Sequence, residues 1–331
     1  MKLVTYKRGD GAMRAGAFID GDSRIVDLAD AHRSAFGEEH APFASVLGMI
    51  EAGDATLDRA YETLKKAGSK GAVERASVKL MAPVPVPPQI RDCLCFETHL
   101  KQSFAAVRRL RANMTADPEA AMREYEEKGV FAVPKTFYEQ PIYYKANRFS
   151  VIGTDVDVVW PKYSNYMDFE LEFGFYLKKK GVDISKDKAR DYIYGYTIFN
   201  DFSARDAQTS EMGGQLGPAK GKDFDNGNAM GPCLVTADEM KDPYNLTMIC
   251  RVNGEEWGRG STSTMFWKFE DLLAHISQSE TLYPGEFFGS GTVGNGCGLE
   301  HMKTLKHGDV VELEVEGIGI LRNRVLTRAQ A

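Results

Sequence analysis

The chain has 331 residues, 43% of them hydrophobic and 27% charged, with a formal net charge of -6. This is globular composition, not that of a disordered or collagen-like chain, and a chain of this length buries a core without disulfides or structural metals. The acidic balance gives no electrostatic footprint for nucleic acid, and the short basic patch RRLR at 108–111 reads as a solvated helix face.

The five cysteines, Cys93, Cys95, Cys233, Cys250 and Cys297, are odd in number, scattered and without a C-x-x-C pair. They suit a reducing cytoplasm, and Cys93 and Cys95 read as core thiols ahead of zinc ligands. The start, MKLVTYKRGD, lacks the apolar stretch of a signal peptide. No apolar run approaches the length of a membrane span. A cytoplasmic protein without membrane attachment is expected.

In chain order, MKLVTYKRG and AGAFIDGDSRIVDL read as short strands joined by Gly/Asp turns, and residues 43–68 read as helical. Pro83, Pro85, Pro87 and Pro88 then forbid a helix, which places a boundary between a small N-terminal α/β domain, 1–82, and a second domain, 83–331. IRDCLCF reads as an apolar strand. Residues 99–127 read as helices, and the region 99–130 reads as a lid. From Pro141 the chain turns β-rich, with strands expected at RFSVIG, DFELEFGFYL, YIYGYTIFND, PCLVT, LTMICRVNGEEW and VVELEVEGIGIL.

DFELEFGFYL, residues 168–177, alternates apolar and other residues with period two, so Glu170 and Glu172 project from one face about 7 Å apart. The bland reading is a solvated strand face, the usual meaning of a bare E-x-E. A second apolar run, YIYGYTIFND, ends on Asp201, where a strand opens into the loop SARDAQ. Three carboxylates without a supporting Cys or His suit a hard divalent cation, Mg²⁺, Mn²⁺ or Ca²⁺, rather than zinc. Two Gly-rich segments follow, GPAKGKDFDNGNAMGP at 217–232 and SGTVGNGCG at 290–298. Neither is a phosphate loop of the G-x-x-x-x-G-K-[ST] type, and each reads equally as a surface turn.

Taken together, DFELEFGFYLKKKG, GYTIFNDFSARDAQ, GKDFDNGNAMGPCLV, FGSGTVGNG and LKHGDVVELEVEGIGILRN, in this order, resemble the fumarylacetoacetate hydrolase superfamily. The likeness spans residues 89–324. It implies a mixed α/β, predominantly β fold of rolled β-sheets beside the small N-terminal domain. It also implies a divalent cation, Mg²⁺ foremost, on Glu170, Glu172 and Asp201, with Asp92, seven residues before His99, as fourth ligand. The spacing of Asp92, Arg108 and Gln208 resembles the fumarylacetoacetase branch. In that branch His99 is the base, a glutamate of the late strand (here Glu312) orients it, and Lys222 stabilises an oxyanion. Arg108, Tyr144, Gln208 and Thr292 match substrate-contacting positions.

The sequence departs from the family at three places. Gln102 replaces the Glu of H-x-x-E, and Leu94 and Met212 replace two tyrosines of that branch, which puts fumarylacetoacetate itself in doubt. The activity implied is hydrolysis of a carbon–carbon bond in a β-diketo acid such as an acylpyruvate, a small keto acid being the only partner besides a second copy in a homodimer. Two alternatives stay open: a dehydratase, decarboxylase or lyase working on a 2-keto acid through an enolate, and a binding homologue without activity.

Overall fold

The computed structural model describes residues 1–9 and 11–328; the last three residues of the second expected domain lie outside that range. Its framework is a large open sheet of twelve strands, a five-stranded sheet and a two-stranded pair. The mixed α/β architecture expected from the sequence is the one present.

The large sheet is centred on Leu171–Leu177, paired antiparallel with Ile193–Asp201 on one side and with Phe287–Gly289 on the other. A strand with neighbours on both edges and layers on both faces has no solvated side. All seven of its residues are buried, as are all nine of Ile193–Asp201. Glu172 therefore points into the protein rather than into water, and the bland reading of E-x-E does not hold. Nor is DFELEFGFYL one continuous strand. Met167–Asp168 pairs with Ser203–Ala204 in its own two-stranded sheet, and Glu170 joins only an isolated bridge to Cys297.

The N-terminal strands Lys2–Lys7, Arg14–Ile19 and Arg24–Asp27 do not make a sheet of their own. Lys2–Lys7 pairs antiparallel with Asn228–Thr236, so the large sheet runs across the proline-rich segment. Three helices cover this end: Leu28–Phe36, capped by Asp27, then Val46–Ala52 and Asp54–Ala67, separated at Gly53 with φ 76°. The first of them was not anticipated, because LADAHRSAF follows a strand with no turn signal between.

At the opposite end Ile90–Cys93 runs parallel to Phe287–Gly289 and antiparallel to Tyr143–Ala146. Helix Glu97–Ala112 follows at once and packs against both Pro118–Glu127 and the short turn Leu299–His301. Among the described residues no helix is long and apolar enough to cross a membrane.

Candidate metal centre and proton-transfer dyad

Pairing of the central strands brings three carboxylates to one place. Asp92 comes from Ile90–Cys93, Glu172 from the central strand, and Asp201 from the end of Ile193–Asp201. Each offers an oxygen within 4.8 Å of the other two. Gly289 lies between them in register with Asp92. A Cβ there would meet Asp92 Oδ1 at 2.5 Å and Glu172 Oε2 at 3.2 Å, so the acids converge only because that strand position has no side chain.

The electrostatics call for a cation. Asp92 is 5% exposed, and Glu172 and Asp201 are fully buried. Burial, then the charge of Asp201, pushes the Asp92 carboxyl up to about 8. Burial and the charge of Asp92 raise Glu172 well above the usual range. Asp201 is pushed up to about 6, burial outweighing the pull of Lys222. Oδ1 of Asp92 and Oδ1 of Asp201 are buried with no hydrogen-bond partner. Buried acids that repel one another and leave oxygens unpaired are costly. An all-oxygen set with spare lone pairs fits a hard divalent cation, as the sequence suggested.

Around these acids the chain commits its donors. Gly291 N–H donates to Glu172 Oε2 at 2.9 Å, and the Thr292 hydroxyl reaches Oε1 at 3.4 Å. Tyr144, in register with Asp92 on the next strand, donates its hydroxyl to Asp201 Oδ2 at 2.7 Å. Lys222 is 2% exposed and donates to Glu170 Oε2, to Asp201 Oδ2 at 2.6 Å and to Ser203 Oγ at 2.7 Å.

Glu170 stands apart from the three-acid group. Its Oε1 accepts from Arg205 Nη1 at 2.7 Å and its Oε2 from Lys222. Burial opposes its ionisation, but Lys222 and then Arg205 outweigh burial and hold its carboxyl well below the ordinary range. As placed, Glu170 is a counter-ion to two buried cations, and the acids facing one another are Asp92, Glu172 and Asp201.

The histidine expected as base lies next to Glu170. His99, in the first turn of Glu97–Ala112, is 7% exposed. Its Nδ1 lies 2.9 Å from Glu300 Oε1 and its Nε2 4.0 Å from Glu170 Oε1. A carboxylate only accepts, so Nδ1 carries the proton and Nε2 is left toward Glu170, with the Ser103 hydroxyl 3.5 Å away. Glu300 is itself fixed: its side chain has no exposure, and its Oε2 accepts from Cys297 N–H at 3.0 Å.

Two sequence-based assignments, Glu312 as partner of His99 and Arg108 as a substrate contact, are corrected here, beside Glu170, which lies with Lys222 and Arg205 and not among the facing acids. Glu312 is not the partner of His99. In Val310–Val315 the buried residues are Val311, Leu313 and Val315, and Glu312 alternates onto the other face, in register with Arg251 and Arg322. Gln102 does not hold His99 either. Its amide forms a reciprocal pair with Asn295, donating to Oδ1 at 2.7 Å and accepting from N–H at 3.0 Å, which ties the helix to the 290–298 loop. Arg108 is not at the site: it donates to the carbonyls of Phe131 at 2.9 Å and Val130 at 3.3 Å. Nine residues at about 100° each carry it half a turn from His99, to the far side of the helix.

Gln208 is near the site, but its Oε1 accepts from Arg205 Nη1 at 3.1 Å. The residues missed by sequence reasoning are Glu300, Arg205 and Asp168. Arg205 and Asp168 lie inside quoted motifs, SARDAQ and DFELE, where a charged residue flanking a strand has an ordinary solvated reading. Glu300 lies in an irregular turn with no periodicity to flag it.

Comparison with known proteins identifies the family. The family model described as fumarylacetoacetate (FAA) hydrolase C-terminal matches residues 111–326. A mitochondrial oxaloacetate tautomerase of Homo sapiens is 34% identical over 283 residues, 84% of this chain and 78% of that protein. One of Xenopus laevis is 30% identical over 98% of this chain and 90% of that protein. These relatives are named for tautomerisation, which is not the branch that the spacing of Asp92 and Arg108 suggested. A fumarylacetoacetate hydrolase from Exiguobacterium antarcticum superposes with a TM-score of 0.71 at 24% identity, covering 99% of this chain and all of that one. Maleylpyruvate hydrolase of Sphingobium sp. SYK-6, solved with a manganese(II) ion and pyruvate, superposes with a TM-score of 0.70 at 19% identity, covering 99% of each chain. By the family model and these relatives, the chain belongs to the fumarylacetoacetate hydrolase family.

Proposed function

We propose that the protein is a divalent-cation-dependent enzyme that interconverts the keto and enol forms of a small 2-oxo diacid of the oxaloacetate type. The observation that carries this reading is the His99–Glu300 dyad, with Nδ1 bonded to the carboxylate and Nε2 4.0 Å from Glu170, which shares Lys222 with Asp201 of the three-acid group. A cation such as Mg²⁺ or Mn²⁺ held by those three acids would polarise a 2-oxo acid and acidify the carbon next to its carbonyl. His99 Nε2 takes a proton from that carbon and delivers it to the carbonyl oxygen, which becomes the enol hydroxyl; the reverse transfer restores the keto form, while Glu300 keeps the second ring proton in place. The human and frog relatives named oxaloacetate tautomerases support the same substrate class.

Carbon–carbon hydrolysis of an acylpyruvate is the second reading. It uses the same base on water and draws support from Lys222, an ammonium buried beside Asp201. Against it, an ammonium has three donors, and Glu170, Asp201 and Ser203 take all three. None is left for a developing oxyanion unless a bond is given up, so in either reading the charge on the substrate oxygen would depend on the cation, and the relatives named for tautomerisation tip the choice. The paired base and the intact acid set argue against a homologue without activity. All five cysteines are free and buried, which supports a reducing compartment.

The deciding assay follows the absorbance of enol-oxaloacetate with chelated protein, then with Mg²⁺ or Mn²⁺ restored, beside acylpyruvate cleavage under the same conditions. Cation-dependent loss of enol without cleavage, absent in His99→Ala, is the expected result. Cleavage without tautomerisation would move the enzyme to the second reading, and neither activity would end both.

A further inference from the structure

Asp168 is fully buried, and no step above uses it. Its two oxygens accept from four residues. Oδ1 takes the N–H of Phe169 at 2.9 Å and of Gly298 at 2.7 Å, and Oδ2 takes the N–H of Leu299 at 3.0 Å and Nε of Arg205 at 2.9 Å. The second guanidinium nitrogen, Nη2, lies 2.8 Å from Oδ2.

These donors lead to different parts of the site. Gly298 and Leu299 open the short turn Leu299–His301, whose middle residue, Glu300, holds His99. Arg205 extends the other way, through Nη1 to Glu170, the counter-ion of Lys222. The turn has no sheet partner to fix it. Its N-cap residue, Gly298, has no side chain to cap it, and its N–H groups at 298 and 299 are spent on Asp168 instead. Space is exact as well: a Cβ on Gly298 would meet Asp168 Oδ1 and the Lys303 carbonyl oxygen, each at 2.7 Å.

We propose that Asp168 is a positioning residue that locks the Glu300 turn to the Arg205–Glu170 pair and so sets the distance between the His99 base and the acid site. This rests on the reading of His99 and Glu300 as the proton-transfer dyad. Asp168 touches neither substrate nor cation; it acts through Glu300. A carboxylate suits the task because both oxygens only accept. Asparagine at this position keeps the shape but turns an NH₂ group toward donors, either Phe169 and Gly298 N–H or Leu299 N–H and Arg205, and so takes an acceptor from the turn in either orientation.

The test is Asp168→Asn in the full chain, loaded with Mn²⁺. Turnover of enol-oxaloacetate is expected to fall about 100-fold in kcat with KM changed less than about threefold, the pattern of a misplaced base. Mn²⁺ affinity, measured by calorimetry, is expected to stay within about threefold, because Asp92, Glu172 and Asp201 are untouched. The proton NMR resonance of the His99 Nδ1–H, recorded with diamagnetic Mg²⁺ in place of Mn²⁺ and assigned by its absence from His99→Gln, is expected to broaden or vanish. A protein whose Asp168 were merely structural would keep that resonance in its folded fraction.

Gly298→Ala presses on the same link while leaving the charge in place, and is expected to show the same kcat loss and the same spectral change. It serves if Asp168→Asn fails to fold. Wild-type kcat with an intact resonance would overturn the proposal. So would a loss of Mn²⁺ affinity equal to the loss of kcat, which would locate the influence at the acids. If the wild type converts none of the substrates, the reading of the site fails, and the resonance alone still decides whether Asp168 holds the Glu300 turn.

Discussion

Two regions build the site by different physics. The central sheet, Leu171–Leu177 with Ile193–Asp201, carries Glu172 and Asp201 in regular hydrogen-bonded register, and its alternation decides which way they point. The segment 290–301 is irregular. It passes from Ser290 through a left-handed Asn295 (φ 65°) to the turn at 299–301. Yet it supplies the N–H that holds Glu172, the Asn295 that clamps Gln102, and the Glu300 that holds His99. In the proposed reading the sheet sets out charges and the loop sets up proton transfer. A cation site tolerates any scaffold that makes acids converge, whereas a base needs one partner at hydrogen-bond distance.

The largest expected effect separates the two roles. His99→Ala is expected to cut kcat by about a thousandfold while the cation still raises the melting temperature, since general-base catalysis contributes about 10²- to 10⁴-fold. Glu172→Gln is expected to do the reverse, removing the melting-temperature response and the activity with it. If either variant lost only what the other is expected to lose, sheet and loop would not divide the work in this way.

Next in size is the pair Glu300→Gln and Glu312→Gln. The first is expected to lower kcat about 100-fold, because the amide holds the ring but carries no charge to stabilise the imidazolium. The second is expected to leave kcat unchanged, because Glu312 faces away beside Arg251 and Arg322. A matched loss in both would restore the late strand to the mechanism.

A pH experiment on the cation-free protein addresses the sheet alone. Asp92 at about 8 and Asp201 at about 6 are raised above the ordinary carboxylate value. The folded state therefore holds protons that the unfolded chain has already released. Stability from these groups is full at acid pH and is lost as pH rises through about 6 to 8. The melting temperature of chelated protein should fall across that window, and Mn²⁺ should abolish the fall while releasing protons in calorimetry. A flat profile without cation would mean that the acids are paired some other way. The smallest effect is expected of Arg108→Ala, less than about threefold in kcat, because its guanidinium holds the 130–131 loop and not substrate; surface contacts of this kind change little.

The sequence by itself determined the elements whose chemistry repeats with a period or stands at the end of one. Apolar alternation marked the strands around 168–177 and 193–201, and with them Glu170, Glu172 and Asp201. The ordered set of motifs then extended the site to Asp92, His99 and Lys222. Tertiary structure alone decided which of these groups face one another. Glu170 falls to Lys222 and Arg205 because a buried carboxylate takes the nearest cation. Arg108 turns away because helical spacing, not separation along the chain, sets a side chain's direction. His99 finds Glu300 rather than Glu312, 201 residues away, through a loop whose path depends on Asp168 and Gln102. Local patterns encode the direction of a side chain within its own element. Contact between two elements depends on how the rest of the chain brings them together, and no periodicity records that.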